Sequence, residues 1–408
     1  MVIITVTTYG QAPTANNGIL DARSWNFSDQ RIALNGNWIF YEDQLISATD
    51  TDGKSSLVHF PKTWNEIRPS GGGSGYATYH LTVLLPQNIA VFALEIPQIY
   101  CSYKLWINGQ ILASNGKVGA TKEETIPQWR PQTISFKNPG DTLHIHLQIA
   151  NFHHYRGGSK DPIYLGTSDM LQHQRSISVW SNLAETGILI VLGIVFLVIY
   201  WGSDRKRITI YFALVCLTWA LRSLFSNQYL FISYFPDFNW TVMVKTEYIT
   251  LYLSLIWAML FTHRLFPNES ANALKYLLIG ANILYILLAL LAKPIQFTEF
   301  LSVYLFTAGT VLLYCAVVVL RAWINERIGV VFLVISMLLG LLIFTYDLFA
   351  YEGFFVYNAA IFGLGYLTVF LAMAMALLLH LKIIKSKKKP SNLLTYKDLY
   401  GESGDALR

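Results

Sequence analysis

The chain has 408 residues, 53% of them hydrophobic and 13% charged, with a mean hydropathy of +0.39 and a formal charge of +5. Its basic excess collects in short segments beside apolar runs, a placement that argues against nucleic-acid binding. Of three cysteines, only Cys101 precedes the apolar region, which excludes a disulfide framework there.

Residues 1–12 join an apolar stretch at 1–6 to Gly10 and Ala12, which have the small-x-small spacing of a cleavage site, without a basic region before it. They are read as the remnant of an export signal. From 13 to 172 the chain breaks into short runs of β-branched and aromatic residues separated by Gly, Pro, Asn and Asp. The pattern predicts strands at 38–41, 57–60, 77–85, 90–96, 103–107, 132–136 and 142–151, assembled as a two-layered sandwich. In the last of these, Leu143, Ile145, Leu147 and Ile149 alternate with His144, His146, Gln148 and Ala150, which predicts one buried and one wet face. The glycine-rich stretch 71–75 lacks the following helix and Lys of a phosphate loop. His144, His146, His153 and His154 have no carboxylate or thiolate cluster beside them, so no metal or other cofactor is expected.

A linker at 173–182 leads into seven apolar runs, at 183–201, 208–225, 241–261, 273–291, 300–322, 328–350 and 359–381. A helix rising 1.5 Å per residue needs roughly 20 residues to cross a hydrocarbon core of about 30 Å, and each run meets that length. An odd number of crossings puts the two ends on opposite sides. One set of loops carries Arg205, Lys206, Arg207, Arg264, Lys275, Arg321 and Arg327, continued by Lys382, Lys385, Lys387, Lys388 and Lys389 in a basic tail at 382–408. The other set carries only Arg175, Lys245 and Lys293. Basic loops stay in the cytoplasm, so the β-rich head is expected outside and the tail inside. Within the spans, Arg222, Glu247 and Asp347 fall at similar depth near the outer ends, with Lys245 and Tyr346 close by. Charges in hydrocarbon are costly unless paired, so these residues predict an ion-pair cluster facing the bundle interior, either a static clamp between helices or the element that couples the head to helix movement.

Two resemblances attach to particular residues. The runs Leu34-Asn35-Gly36-Asn37-Trp38, Phe60-Pro61-Lys62-Thr63-Trp64-Asn65 and Leu105-Trp106-Ile107-Asn108-Gly109-Gln110 resemble the sugar-binding jelly-roll domain of family 2 glycoside hydrolases. Aromatic rings suit the C–H face of a sugar, and amides and guanidinium groups suit its hydroxyls. Trp64, Trp106, Asn108, Trp129, Arg130, Asn151, His153, His154 and Arg156 are therefore the candidate ligand-binding residues. In the membrane half, residues 211–224 with their Arg222-Ser223-Leu224 end, then Glu247-Tyr248 and Leu265-Phe266-Pro267, resemble the bacterial seven-transmembrane receptors with diverse intracellular signalling modules. That resemblance implies a jelly-roll-like exported β-sandwich before a seven-helix transmembrane bundle in a bacterial cytoplasmic membrane. It also implies a small-molecule ligand, carbohydrate or related, and a cytoplasmic effector supplied in cis or in trans. Pairing of two copies through the bundle is left open.

Catalysis is disfavoured. Asp347 is the only Asp well inside a span, no His-Glu-x-x-His helix exists, and His263 and His380 lie at helix ends. The alternative to a receptor is a transporter or channel component. It would need internal repeats or broken helices, and the two halves of the bundle show no strong self-similarity.

Overall fold

A computed structural model describes residues 12–28, 30–47, 53–68, 71–202, 207–327, 329–351 and 359–388. The proposed export remnant up to residue 11, the loop cations Arg205 and Lys206, and the tail from 389 lie outside the described residues.

Fourteen strands form the head among these residues. They are β1 (Ile19–Asp21), β2 (Ile32–Ala33), β3 (Gly36–Glu42), β4 (Ser56–Phe60), β5 (Lys62–Thr63), β6 (Gly75–Leu84), β7 (Val91–Ile96), β8 (Ile99–Tyr100), β9 (Ser102–Ile107), β10 (Gln110–Asn115), β11 (Gln132–Lys137), β12 (Thr142–Asn151), β13 (Gly158–Ser159) and β14 (Tyr164–Thr167). One sheet runs β10-β9-β12-β6-β3-β4, with β1 parallel to β6, and a second runs β11-β7-β14-β2. Leu81, Leu105 and Leu147 from the first sheet and Phe92, Leu94 and Leu165 from the second share one apolar core. The head is thus a β-sandwich held by alternating inward residues.

The outer face of the large sheet is less wet than alternation alone predicts. Gln148 is buried because the chain after β3 folds over it, and His146 is buried as well. Gln148 Nε2 donates to the Ile46 carbonyl at 3.0 Å, and the Ile46 amide donates to Thr78 Oγ1 at 2.9 Å. Beside that cover the rings of His80 and His146 stack 4.3 Å apart. Sequence patterning also passes over β10. The turn Asn108-Gly109, with φ of 46° and 83°, returns the chain from β9 as a hairpin, and Asn-Gly is the sequence signal for such a turn.

Ten α-helices are described: α1 (Trp64–Ile67), α2 (Ser168–Gly202), α3 (Arg207–Phe225), α4 (Leu230–Tyr234), α5 (Trp240–Leu265), α6 (Asn272–Leu291), α7 (Pro294–Phe297), α8 (Leu301–Ile324), α9 (Val330–Tyr351) and α10 (Ala359–Lys388). Among the described residues, seven of them are long and apolar enough to cross a membrane. The stretch 173–182, read as a linker, is instead helical. α2 starts directly after β14 and has neither Pro nor Gly before Gly187, so nothing interrupts its hydrogen-bond ladder between head and bilayer. Trp180 and Trp201 on α2 are 70% and 71% exposed. The 21-residue rise between them is roughly 31 Å, the spacing of the two aromatic belts at membrane surfaces.

Trp64, named above as a ligand-binding candidate, is fully buried, and its indole Nε1 donates to the Tyr79 hydroxyl at 2.9 Å. Trp64→Phe leaves that hydroxyl buried without its donor and is expected to destabilise the head by about 1–3 kcal/mol. Denaturant unfolding of the whole protein, followed by near-ultraviolet circular dichroism, checks this. An unchanged midpoint contradicts the core role.

Candidate functional site between head and bundle

The head sits on the bundle through a short list of residues. Gly116 has φ +66°, and a Cβ there would lie 2.2 Å from the Ile126 carbonyl oxygen. Glycine lets the chain pair at Lys117 and Ile126, and the Gln128 amide then donates to the Cys101 carbonyl at 3.1 Å. That geometry projects Trp129 out of the head. Its ring meets Tyr100 and His154 of the head at 5.8 and 5.2 Å, and Tyr229 and Trp240 of the bundle at 5.8 and 5.4 Å. Trp129, Tyr100 and Cys101 belong to the same apolar cluster as the bundle helices. Polar contacts flank the aromatic joint. Gln128 Nε2 donates to the Pro236 carbonyl at 2.7 Å, the Tyr155 amide to Thr298 Oγ1 at 3.2 Å, and the Tyr229 hydroxyl to Gln98 Oε1 at 2.8 Å.

Beside this joint lies a cavity of about 310 Å3 lined by both halves of the protein. The head supplies Arg31, Glu95, Gln98, Tyr100, Trp129, His154, Lys160, Asp161 and Tyr164; the bundle supplies Arg175, Trp219, Arg222, Tyr229, Glu247, Tyr248, Asp347 and Tyr366, with several aliphatic side chains. Four cationic residues (Arg31, Lys160, Arg175, Arg222) face four acidic ones (Glu95, Asp161, Glu247, Asp347), so the lining is close to self-neutralising. Arg31 pairs with Glu95 and lies 3.7 Å over the Tyr164 ring, while Arg175 donates to the Gln228 side chain. Arg222 Nη1 donates to the backbone carbonyl of Glu247 at 2.6 Å, and the Tyr229 hydroxyl is 3.4 Å from Glu247 Oε2. Burial, and next the Glu247 charge, push the Tyr229 hydroxyl well above the usual phenol range. Burial also holds the His154 imidazole down at about 3.

The structure divides the sequence-derived candidates. Trp129, His154, Arg222, Glu247 and Asp347 line the cavity. Lys245 does not join them: its Nζ donates to the Leu290 carbonyl of α6 at 2.7 Å. Asn151 is a buried hub whose Nδ2 donates to the carbonyls of Gly73, His154 and Arg156 at 2.8, 2.8 and 2.9 Å. His153 lies at the seam with its ring 6.3 Å from Trp240, and the Arg156 amide donates to His154 Nδ1 at 3.0 Å. Arg130 Nη2 donates to Gln132 Oε1 at 3.3 Å behind the cavity wall. Trp106 and Asn108 are on the large sheet and its hairpin turn. Lys104 Nζ lies 4.8 Å from the Trp106 ring, and Asn108 Oδ1 accepts from the His144 amide at 2.7 Å. Neither lines the cavity.

Sequence reasoning missed Tyr100, Tyr229 and Trp219, which line the cavity, and Glu185, which supports it. Glu185 of α2 accepts from Trp219 Nε1 at 3.2 Å, and a Cβ at Gly363 of α10 would lie 3.0 Å from its other oxygen. Asn182 Nδ2 and Thr186 Oγ1 donate to Ser223 Oγ at 3.0 and 3.1 Å alongside. A lone Glu inside an apolar run was the available signal.

The fold and this lining define a multi-pass membrane protein whose head and helices share one pocket. Residues 182–380 match the model of a family described as 7TM diverse intracellular signalling. No curated protein matches the sequence. Over 33% of its length the chain is similar to three solved structures, each at a TM-score of 0.25. They are a GH2 beta-galacturonidase from Eisenbergiella tayi bound to galacturonate (14% identity, 24% of that chain), a Faecalibacterium prausnitzii beta-glucuronidase (14%, 31%) and a putative beta-galactosidase from Bacteroides fragilis (18%, 23%). The chain spans less than a third of the length of these proteins.

The buried neutral His154 gives the seam a pH dependence of definite sign. Its folded value of about 3 lies below the ordinary 6.5, so its contribution is complete above pH 6.5 and is lost progressively as pH falls towards 3. His80, held down at about 4 by burial and then by His146 and His144, acts in the same direction. The apparent Tm is expected to fall between pH 6.5 and 4.5, and to fall less steeply in His154→Phe, which keeps the stack on Tyr100. Thermal scans across that range check it; equal slopes contradict it.

Proposed function

We propose that this protein is a sensor whose ligand, a carbohydrate or related small polar molecule, binds in the cavity between head and bundle and shifts the helices. The observation that carries this reading is the shared lining: one pocket is walled by Trp129 and His154 of the head and floored by Arg222, Glu247 and Asp347 of the helices. A ligand touching both halves has a different affinity for each arrangement of head on bundle, which is the condition for shifting a two-state equilibrium. Flat aromatic faces beside paired amide and charged groups suit a hydroxylated molecule.

A path to the tail runs through Trp219. Its ring lies in the cavity wall, 4.5 Å from Tyr366 and 5.8 Å from Phe370 of α10, and its indole donates to Glu185 of α2. α10 ends beyond the apolar zone, so its displacement is the output delivered to an effector in cis or in trans. The orientation that goes with this reading has the head outside a bacterial cytoplasmic membrane and α10 leading inside, as the Lys and Arg asymmetry favours.

Titration of the whole protein in nanodiscs with a panel of mono- and disaccharides, followed by tryptophan fluorescence, tests the reading. Saturable binding is expected, weakened at least tenfold by Trp129→Ala and unchanged by Trp106→Ala. Binding that survives the first substitution and is lost with the second would move the site to the outer face of the large sheet and contradict it.

A further inference from the structure

The segment 226–239, which joins α3 to α5 on the side of the head, ends its short helix α4 on two neighbouring rings that the protein leaves open: Tyr234 is 68% and Phe235 58% exposed. The height of this segment follows from helix register. Ser223 Oγ of α3 accepts from Asn182 Nδ2 and Thr186 Oγ1 of the antiparallel α2 at 3.0 and 3.1 Å, which puts the end of α3 at Phe225 within about one turn of Trp180. Trp180 is the head-side member of the aromatic belt described above. The chain thus leaves α3 where hydrocarbon gives way to headgroups, a layer roughly 5–8 Å thick on each side of a bilayer. Exposed apolar side chains flank the segment at the same end of the helices: Leu221 one turn before the end of α3 and Val242 in the first turn of α5.

The same segment reaches the cavity. Phe235 packs on Phe231 at 4.8 Å, and Phe231 on Phe225 and Phe238 at 4.6 and 5.0 Å. The Phe235 amide donates to the Phe231 carbonyl at 2.9 Å and the Ser233 amide to the Tyr229 carbonyl at 3.0 Å, so hydrogen-bonded helix turns connect Phe235 to Tyr229. Tyr229 lines the cavity and has φ of 47°, a left-handed backbone that a bulky residue keeps only where its surroundings hold it. Gln98 and Trp129 hold it from above through its hydroxyl and ring. From the other side it is held by α4.

We propose that Tyr234 and Phe235 are an interfacial anchor, seated at the headgroup–acyl boundary of the leaflet beneath the head, and that through α4 they hold Tyr229 in the cavity wall. The occupant of this apolar surface is bilayer lipid, because the surface begins at the height of the Trp180 belt and continues the exposed apolar faces of α3 and α5. An aromatic ring suits that boundary, with its apolar body towards the acyl chains and, in tyrosine, its hydroxyl towards water. The bilayer surface is then a second input to the joint between head and bundle, whatever the cavity binds.

The test places a nitroxide on Phe235→Cys of the whole protein in nanodiscs of phosphatidylethanolamine and phosphatidylglycerol. Cys101, Cys216 and Cys315 are buried, and the unsubstituted protein taken through the same labelling checks that they do not react. Labels at Lys122→Cys on the head and Leu284→Cys midway along α6, both exposed positions, mark water and hydrocarbon. The ratio of oxygen to nickel-chelate accessibility at 235 is expected to exceed that at 122 and to approach that at 284. A ratio equal to that at 122 overturns the anchor. A label shielded from both reagents reports a second copy or another protein on this surface and overturns it too.

The hold on Tyr229 is read by hydrogen exchange in the same nanodiscs. Tyr234→Ser with Phe235→Ser is expected to speed exchange of segment 226–230 about tenfold. Tyr234→Trp with Phe235→Trp is expected to leave it at the wild-type rate, since Trp favours the membrane interface as Tyr does. Exchange unchanged in the serine variant overturns the hold on Tyr229. Exchange equally fast in both variants ascribes the effect to packing against Phe231 and overturns the anchor. Neither readout uses a cavity ligand, so failure here leaves the receptor reading standing.

Discussion

Burial of Trp129 in the bundle is the contact on which the rest of the arrangement depends. A single indole, 2% exposed, touches rings from both halves of the chain. Aromatic pairs of this kind contribute about 0.5–1.5 kcal/mol each beyond their buried area, and two of them, to Tyr229 and Trp240, cross from head to bundle. Because the joint is compact, the surfaces beside it need not touch. The gap they leave is the cavity.

The second constraint is the handling of charge next to hydrocarbon. Arg222, Glu247 and Asp347 are tolerated near the helix ends because each faces the cavity and the bundle interior, where opposite charges and backbone carbonyls answer it. In the proposed reading, a ligand that offers hydroxyls there changes the balance between arrangements of the helices. α2 makes that change global. Ser168 Oγ lies 2.7 Å from Ser135 Oγ of β11, Gln172 Nε2 donates to the Thr133 carbonyl at 3.3 Å, and the same helix continues without a break to Glu185 beside Trp219. A tilt of the head is thus a tilt of the first membrane helix.

Much of this architecture is legible in the sequence, and the parts that are not have physical reasons. Apolar runs announce membrane helices because no other arrangement satisfies the backbone in lipid, and the runs at 208–225 and 273–291 coincide with α3 and α6 to within a residue. The alternation in 142–151 announces β12 over the same residues. What the pattern does not reveal is which polar side of a strand is later covered: Gln148 looks wet until the segment around Ile46 is placed over it. Nor does composition distinguish the tryptophans. Trp64, Trp106 and Trp129 are the same residue type in similar neighbourhoods, yet one sits inside the sandwich, one on its outer sheet and one at the seam, a difference decided by contacts tens or hundreds of residues apart. Arg222, Glu247 and Asp347, expected as an ion-pair cluster from their matched depth, all line the cavity, where Arg222 donates to the backbone carbonyl of Glu247. Depth misplaced Lys245, because two residues from Glu247 on a helix is another face.

The central claim, that head and bundle jointly hold one ligand, is tested most directly by hydrogen–deuterium exchange of the whole protein with and without a saturating ligand. The account predicts that uptake falls together in the head segments 96–101 and 127–133 and in the bundle segment 226–230, all of which contribute to the cavity wall. Protection confined to the head, on strands around 104–108 and 144–146, with the bundle segment unchanged, would contradict it.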